Sequence, residues 1–194
     1  MKAIYPMVGG TASTHKWNLK DPRDLDAAFR LTFFGGIIHS ANGIIPNGTN
    51  GYVDTNLNAL SSLNQNNGHV SFYSRKNAIS LSPSVACFDL LRYIALYVRY
   101  NTNEILGTYS TTGATYSNKT IANSLGLSVV TRTASNVTNV YRDGIVGTQS
   151  AGASTTLPNA NILLYRLGAQ YDNQDCAFAS IGDGLTDTDA ANLY

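Results

Sequence analysis

This sequence predicts an all-β protein, an antiparallel β-sandwich, and three observations predict it. The first is a hairpin at residues 136–149 (NVTNVYRDGIVGTQ). Its Asp143-Gly144 pair lies between Tyr141 and Ile145-Val146, and glycine tolerates the positive φ that a tight turn needs. The second is a series of short β-branched or alternating runs, such as 68–75 (GHVSFYSR) and 125–133 (LGLSVVTRT). They recur at roughly 8–12-residue spacing with Gly and Asn turns between them. The third is the lack of any fixed internal period, which argues against a propeller or solenoid. A chain of 194 residues makes one domain with a two-layer core.

In chain order, residues 1–23 read as an arm and 24–194 as the sandwich. The arm has loop chemistry around Gly9-Gly10 and holds the sole tryptophan, Trp17. That indole either plugs an apolar edge or stacks on a sugar, and with Tyr5 it is the candidate for packing on a partner. Pro22 among Asp21, Asp24 and Asp26 predicts the start of a helical turn. Residues 27–34 read as the first long strand, with Phe29, Leu31 and Phe33 on one face. Ile37-Ile38 and Ile44-Ile45 flank a second hairpin. Asn47-Gly48 and Asn50-Gly51 mark turns before a strand at 52–55, and 57–67 is a polar linker with room for a helical turn. In 68–75, Val70 and Phe72 share one face while His69, Ser71 and Tyr73 share the other.

The most apolar run, 84–100 (SVACFDLLRYIALYVR), fits a helix with Cys87, Leu91, Ile94 and Val98 as its stripe. It equally fits two strands, 85–90 and 93–100, and the β character of its flanks favours strands. Edge strands follow at 105–109 and 120–122, separated by a loop at 110–118. Residues 161–167 and 176–181 supply two more strands. Thr186 with Asp189 approximates a capping box and opens a short C-terminal helix.

Only 13% of residues are charged, the formal net charge is +1 and the mean hydropathy is -0.10, so polarity comes from Asn, Ser and Thr beside 12 Tyr and 17 Gly. Such a neutral, hydrogen-bonding surface suits extracellular or virion β proteins. Nucleic acid is excluded as a partner because no block of Lys and Arg forms a basic face. Cys87 and Cys176 lie in apolar surroundings without zinc or C-x-x-C spacing, as two buried thiols or one disulfide. No secretory signal is read in the Met1-Lys2-Ala3-Ile4-Tyr5 start, and no apolar run reaches membrane-spanning length. Beyond Arg166 the charged residues are Asp172, Asp175, Asp183, Asp187 and Asp189, which suit either Ca²⁺ or solvated loops and a helix start. No cofactor is expected.

Three stretches carry a family resemblance. Gly48-Thr-Asn-Gly-Tyr-Val-Asp-Thr resembles an early strand after an Asn-Gly turn, and Asn139-Val-Tyr-Arg-Asp-Gly-Ile-Val-Gly a later hairpin. Ala177-Phe-Ala-Ser-Ile-Gly-Asp-Gly-Leu-Thr-Asp-Thr-Asp resembles a closing strand with its short helix. Together they resemble the concanavalin A-like lectin/glucanase superfamily, in its laminin-G-like jelly-roll form. The N-terminal segment from Ala3 to Asp24 is similar to stretches of tailed-bacteriophage structural proteins. The resemblance implies a non-enzymatic virion module that packs on other virion subunits or on its own copies as a homo-oligomer, with a lectin-like glycan-binding domain as the alternative.

A glycoside hydrolase is the remote alternative. In the resembled family hydrolysis uses paired glutamates in an E-x-D-x-x-E arrangement, whereas this chain has one glutamate, Glu104. His15, His39 and His69 are far apart, and no G-x-S-x-G elbow is present. Sugar sites pair aromatic platforms with Asn, Asp and backbone donors. The candidates are Asn101, Asn103 and Glu104, then Tyr109 and Tyr116, then Tyr171, Asp172 and Asp175. Each of these aromatics has an alternative reading as core packing or strand surface.

Overall fold

A computed structural model describes residues 1–101, 103–112 and 115–194. The strands, in chain order, are β1 (Ala3–Pro6), β2 (Thr32–Phe34), β3 (Ile37–Ser40), β4 (Gly43–Pro46), β5 (Tyr52–Asn58), β6 (Gly68–Ser74), β7 (Val85–Asp89), β8 (Arg92–Tyr100) and β9 (Glu104–Thr112). They continue with β10 (Ser117–Thr120), β11 (Gly126–Ala134), β12 (Val137–Arg142), β13 (Ile145–Val146), β14 (Asn161–Leu164), β15 (Arg166–Leu167), β16 (Gln170–Tyr171) and β17 (Cys176–Gly182). Helices are short: α1 (Ala12–His15), α2 (Ala59–Ser62) and α3 (Asp187–Leu193).

Two antiparallel sheets face each other. The eight-stranded sheet runs β13-β12-β11-β6-β17-β4-β3, with β1 also on β17, and the seven-stranded sheet runs β10-β9-β8-β7-β14-β5-β2. The alternation of apolar and polar residues decides which face is buried. In β5, Val53, Thr55 and Leu57 are buried while Tyr52, Asp54, Asn56 and Asn58 face outward. Phe72, Val70, Ile94, Leu96, Val130 and Ile162 meet between the sheets in one core. A second cluster holds α3 on the outward face of the larger sheet, where Ala190 packs with Leu127, Val129 and Tyr141.

The hairpin signal at Asp143-Gly144 holds: Tyr141 pairs with Val146 and Arg142 with Ile145, and the two turn residues have φ of 52° and 75°. The run 84–100 is two strands. Val85 faces Leu96 and Cys87 faces Ile94, which sends Cys87, Ile94 and Leu96 into the core together. A helix would have needed Leu91 inside, and Leu91 is 67% exposed.

Four local expectations change. Residues 27–34 are not one strand: Asp26–Ala28 is a 3-10 turn, Phe29 takes a left-handed φ of 60°, and only Thr32–Phe34 pairs. Beside this turn, Arg30 folds back onto Asp24 at 2.7 Å and Asp26 at 2.8 Å. Strand β9 extends to Thr112 and its neighbour sits at Ser117–Thr120 rather than 120–122; within the expected loops, Thr102, Gly113 and Ala114 lie outside the described residues. The arm contains a helical turn, α1, capped by Thr11. Its first strand is bonded along β17, from Ala3 opposite Ile181 to Pro6 opposite Phe178.

Candidate functional site

The outward face of the seven-stranded sheet carries a cleft. Cross-strand register places Asp54, Leu163, Ala86, Ala95 and Thr108 in one row across β5, β14, β7, β8 and β9. Alanines in the middle of that row keep the floor low. Paired aromatics stand on opposite sides of it, two residues before Asp54 and two after Ala86. Phe34 stacks on Tyr52 with centroids 4.7 Å apart at 9°, and Phe88 on Tyr93 at 4.8 Å and 29°. Between Tyr52 and Phe88 lies a cleft of about 440 Å³, with Asp54, Asn161, Leu163 and Arg166 also in its lining.

Its polar groups are held in place. The Asp54 carboxylate accepts from the Asn56 backbone N–H at 2.7 Å and from Asn161 Nδ2 at 3.1 and 3.2 Å. Arg166 owes its position to Tyr165, whose φ of 72° turns the chain between β14 and β15. The Arg166 guanidinium carbon lies 4.6 Å from the Tyr52 ring centre and 5.7 Å from that of Tyr171, and Nε donates to the Gly168 carbonyl at 3.0 Å. A ring and a guanidinium cannot share one face of Tyr52, so Phe34, Tyr52, Arg166 and Tyr171 form a layered stack.

Of the sequence candidates, Tyr171 approaches this cleft only through Arg166, 5.7 Å from its ring centre, and none of them lines it. Tyr109 is wholly buried, its hydroxyl donating to the Asn64 carbonyl at 3.3 Å. Asp172 is also fully buried, accepting from the Ser84 hydroxyl at 2.5 Å and the Asn173 N–H at 2.8 Å, and burial raises its pKa. Neither side chain can meet a ligand. Asn101, Asn103 and Glu104 are exposed around the β8–β9 connection, where Asn103 accepts from Arg99 at 2.7 Å. Tyr116 packs edge-on to Tyr97 at 6.0 Å. Asp175 lines a separate hollow of about 270 Å³ with Ser40 and Arg75. Tyr5 is fully buried within its own chain and donates to the Phe29 carbonyl at 2.8 Å, which removes it as a partner contact. Trp17 is half-buried, with Lys16 Nζ 4.7 Å from its ring.

Tyr52, Asp54, Phe88, Asn161 and Arg166, which line the cleft, are not among the candidates read from the sequence. Their one sequence signal was the outward set of YVDTNLN, an aromatic and a carboxylate at alternate positions.

The fold does assemble one hydroxyl–imidazole contact. His69 Nδ1–H donates to the Asp183 carbonyl at 2.5 Å, so Nε2 accepts from the Ser180 hydroxyl at 3.0 Å, and Ser180 and Ser71 share a hydrogen bond of 2.6 Å. His69 and Ser180 are both 0% exposed. Substrate has no route to that pair, so it is an internal polar network. Among the described residues, no group of three or more His, Cys, Asp or Glu could hold a metal ion. Nor, among the described residues, is any helix long and apolar enough to cross a membrane.

No family model matches the chain, and no curated protein matches it. Solved structures do. Domain 4 of AbnA, a GH43 extracellular arabinanase from Geobacillus stearothermophilus solved with arabinotriose, is 12% identical with a TM-score of 0.66, covering 99% of this chain and 97% of that one. Trypanosoma rangeli sialidase in complex with sialic acid is 12% identical at a TM-score of 0.57, over 82% of this chain and 28% of that one. The botulinum neurotoxin serotype D binding domain is 14% identical at 0.54, over 86% of this chain and 46% of that one. The chain thus shares a β-sandwich fold with a domain of an arabinanase, a part of a sialidase and a part of a neurotoxin binding domain.

These likenesses correct two expectations. The virion reading rested on the neutral composition and a short N-terminal similarity, whereas the fold is shared over nearly the whole chain with a domain of an arabinanase. The non-enzymatic reading rested on the missing glutamate pair, the scattered histidines and the lack of a G-x-S-x-G elbow, which bear on particular catalytic routes only. The same fold occurs within an arabinanase and sialidases, so it does not set the chain apart from enzymes.

Proposed function

We propose that this chain is a carbohydrate-binding module that seats a glycan in the cleft on the outward face of the seven-stranded sheet. The observation that carries this reading is the juxtaposition of Phe88, Asp54, Asn161 and Arg166 around a low floor of Ala86 and Leu163. A pyranose or furanose ring has apolar C–H patches and a rim of hydroxyls. Phe88, 38% exposed, offers ring surface to the first, while the carboxylate, amide and guanidinium offer acceptors and donors to the second. That a domain of the same fold and extent was solved with arabinotriose supports the same ligand class here.

Calorimetric titration with arabinotriose, other neutral trisaccharides and acidic oligosaccharides tests the reading, with release of reducing ends followed in the same samples. Binding by at least one sugar is expected, weakened about 5- to 30-fold by Asp54→Ala or Phe88→Ala, since each removes a hydrogen-bonding or stacking contact of roughly 1–2 kcal/mol. Full retention of binding in both variants, at unchanged melting temperature, would move the site elsewhere.

A further inference from the structure

We infer that the cleft selects glycans that carry a carboxylate, and that Arg166 receives it. The inference rests on the cleft being the sugar site. Most of the arginines in this chain are committed. Arg23, Arg30 and Arg92 close on aspartates, while Arg132 and Arg142 bind backbone carbonyls from the protein interior. Arg166 differs. Only its Nε is engaged, with the Gly168 carbonyl, and among the described residues it forms no ion pair and its two terminal nitrogens have no hydrogen-bond partner.

This guanidinium is also fixed before any ligand arrives. The Tyr52 and Tyr171 ring centres lie 4.6 and 5.7 Å from its central carbon, and the Gly168 carbonyl accepts from its Nε. A planar donor fork with its orientation already set loses little entropy when it takes a planar acceptor pair. Two parallel N–H···O bonds to a carboxylate use both free nitrogens at once, whereas a neutral hydroxyl satisfies one. Asp54 sets the other end of the cleft. Its negative charge is held by the neutral donors Asn56 and Asn161, with no cation on it, so it repels a second anion and accepts from sugar hydroxyls. The cleft therefore has a direction: carboxylate toward Arg166, hydroxyls toward Asp54 and Asn161.

The test uses matched pairs that differ only in charge: trigalacturonic acid against its methyl ester, and a glucuronic acid-containing disaccharide against its carboxyl-reduced form. Calorimetry should show the acidic member of at least one pair binding tenfold or more tightly, with the preference shrinking at high salt. Arg166→Gln should abolish the preference, and Arg166→Lys, which keeps charge but not the fork, should restore it only in part. Because Arg166 also braces the β15–β16 hairpin, amide spectra of the unmodified protein give a second readout. Gly168 and Tyr171 should shift with the acid and not with the ester. Equal binding within both pairs, or binding of arabinotriose with none of either acid, would overturn the inference and leave the cleft standing. No binding of any sugar would overturn both.

Discussion

His69 shows how a single buried residue can add to the acid sensitivity of the whole domain. Burial first, and a contribution from the nearby N-terminal ammonium, lower its pKa to about 4 from 6.5, against the raising effect of the Asp183 carbonyl. The folded protein thus keeps His69 neutral where the unfolded chain takes up a proton. Stability from this group is complete above pH 6.5 and is lost as pH falls toward about 4, by an amount on the order of 3 kcal/mol. His15 and His39 act in the same direction, their pKa values lowered by burial. The Gly10 N–H donates to His15 Nε2 at 3.2 Å, so Nδ1 carries the His15 proton and donates to His39 Nδ1 at 2.9 Å. Urea melts between pH 7 and pH 4 should show falling stability, and His69→Gln should flatten that slope while leaving a residue from the other two. An unchanged slope would exclude His69. The alternation of residues 68–75 placed His69 on the face opposite Val70. Its burial there was not legible, because what covers it comes from Asp183 and Ser180, more than a hundred residues away.

Among the elements, the β12–β13 hairpin is the one that local chemistry specifies most fully. Asp143 at φ 52° and Gly144 at φ 75° give a two-residue turn with both central residues left-handed, a conformation that suits the twist of flanking strands. A Cβ on Gly144 would meet the Ala191 Cα at 3.0 Å as well as the unfavourable φ. Gly144→Ala should therefore cost about 1–2 kcal/mol in a chemical melt, from backbone strain and from loosening α3. A neutral result would mean that the turn relaxes without disturbing the helix. Turn and capping signals such as Asp143-Gly144 and Thr186 with Asp189 were readable because every determinant lies within a few residues. The run 27–34 was misread for the converse reason. Its alternation is real, but a 3-10 turn at Asp26–Ala28 and the left-handed φ of Phe29 leave only Thr32–Phe34 to pair, and a period-2 pattern carries no account of such a turn.

At the scale of the molecule, the cleft depends on two sheets holding a fixed relation, and two interior arginines fasten them. The fold class and the strand content were legible in the sequence. The order in which strands pair was not, and the cleft draws on β5, β7, β14 and β15, which become neighbours only through that order. Nor did composition reveal the fastening. Arg132 on β11 is fully buried, and its guanidinium donates to the Tyr109 carbonyl on β9 at 2.7 Å, to Ser135 at 2.7 Å and to Gly152 at 3.0 Å. Arg142 on β12 reaches the Val98 carbonyl on β8 at 2.9 Å. Both bonds cross from the eight-stranded to the seven-stranded sheet, and in neither case does a carboxylate close the ion pair. Burial lowers the pKa of both, yet an arginine stays charged, so the carbonyl dipoles must carry the stabilisation. Arg132→Met keeps length and volume while removing every donor, leaving at least three carbonyls without this partner. Each unsatisfied buried acceptor costs roughly 1–3 kcal/mol, so a loss of about 3 kcal/mol or more is expected in equilibrium unfolding. Arg132→Lys, with one ammonium for several divergent carbonyls, should recover only part of it. If methionine were tolerated without loss, apolar packing alone would be holding the sheets together, as replacement of buried charges by well-packed apolar residues sometimes allows. A loss confined to stability, with sugar binding intact in the folded fraction, would place the fastening upstream of the cleft rather than within it.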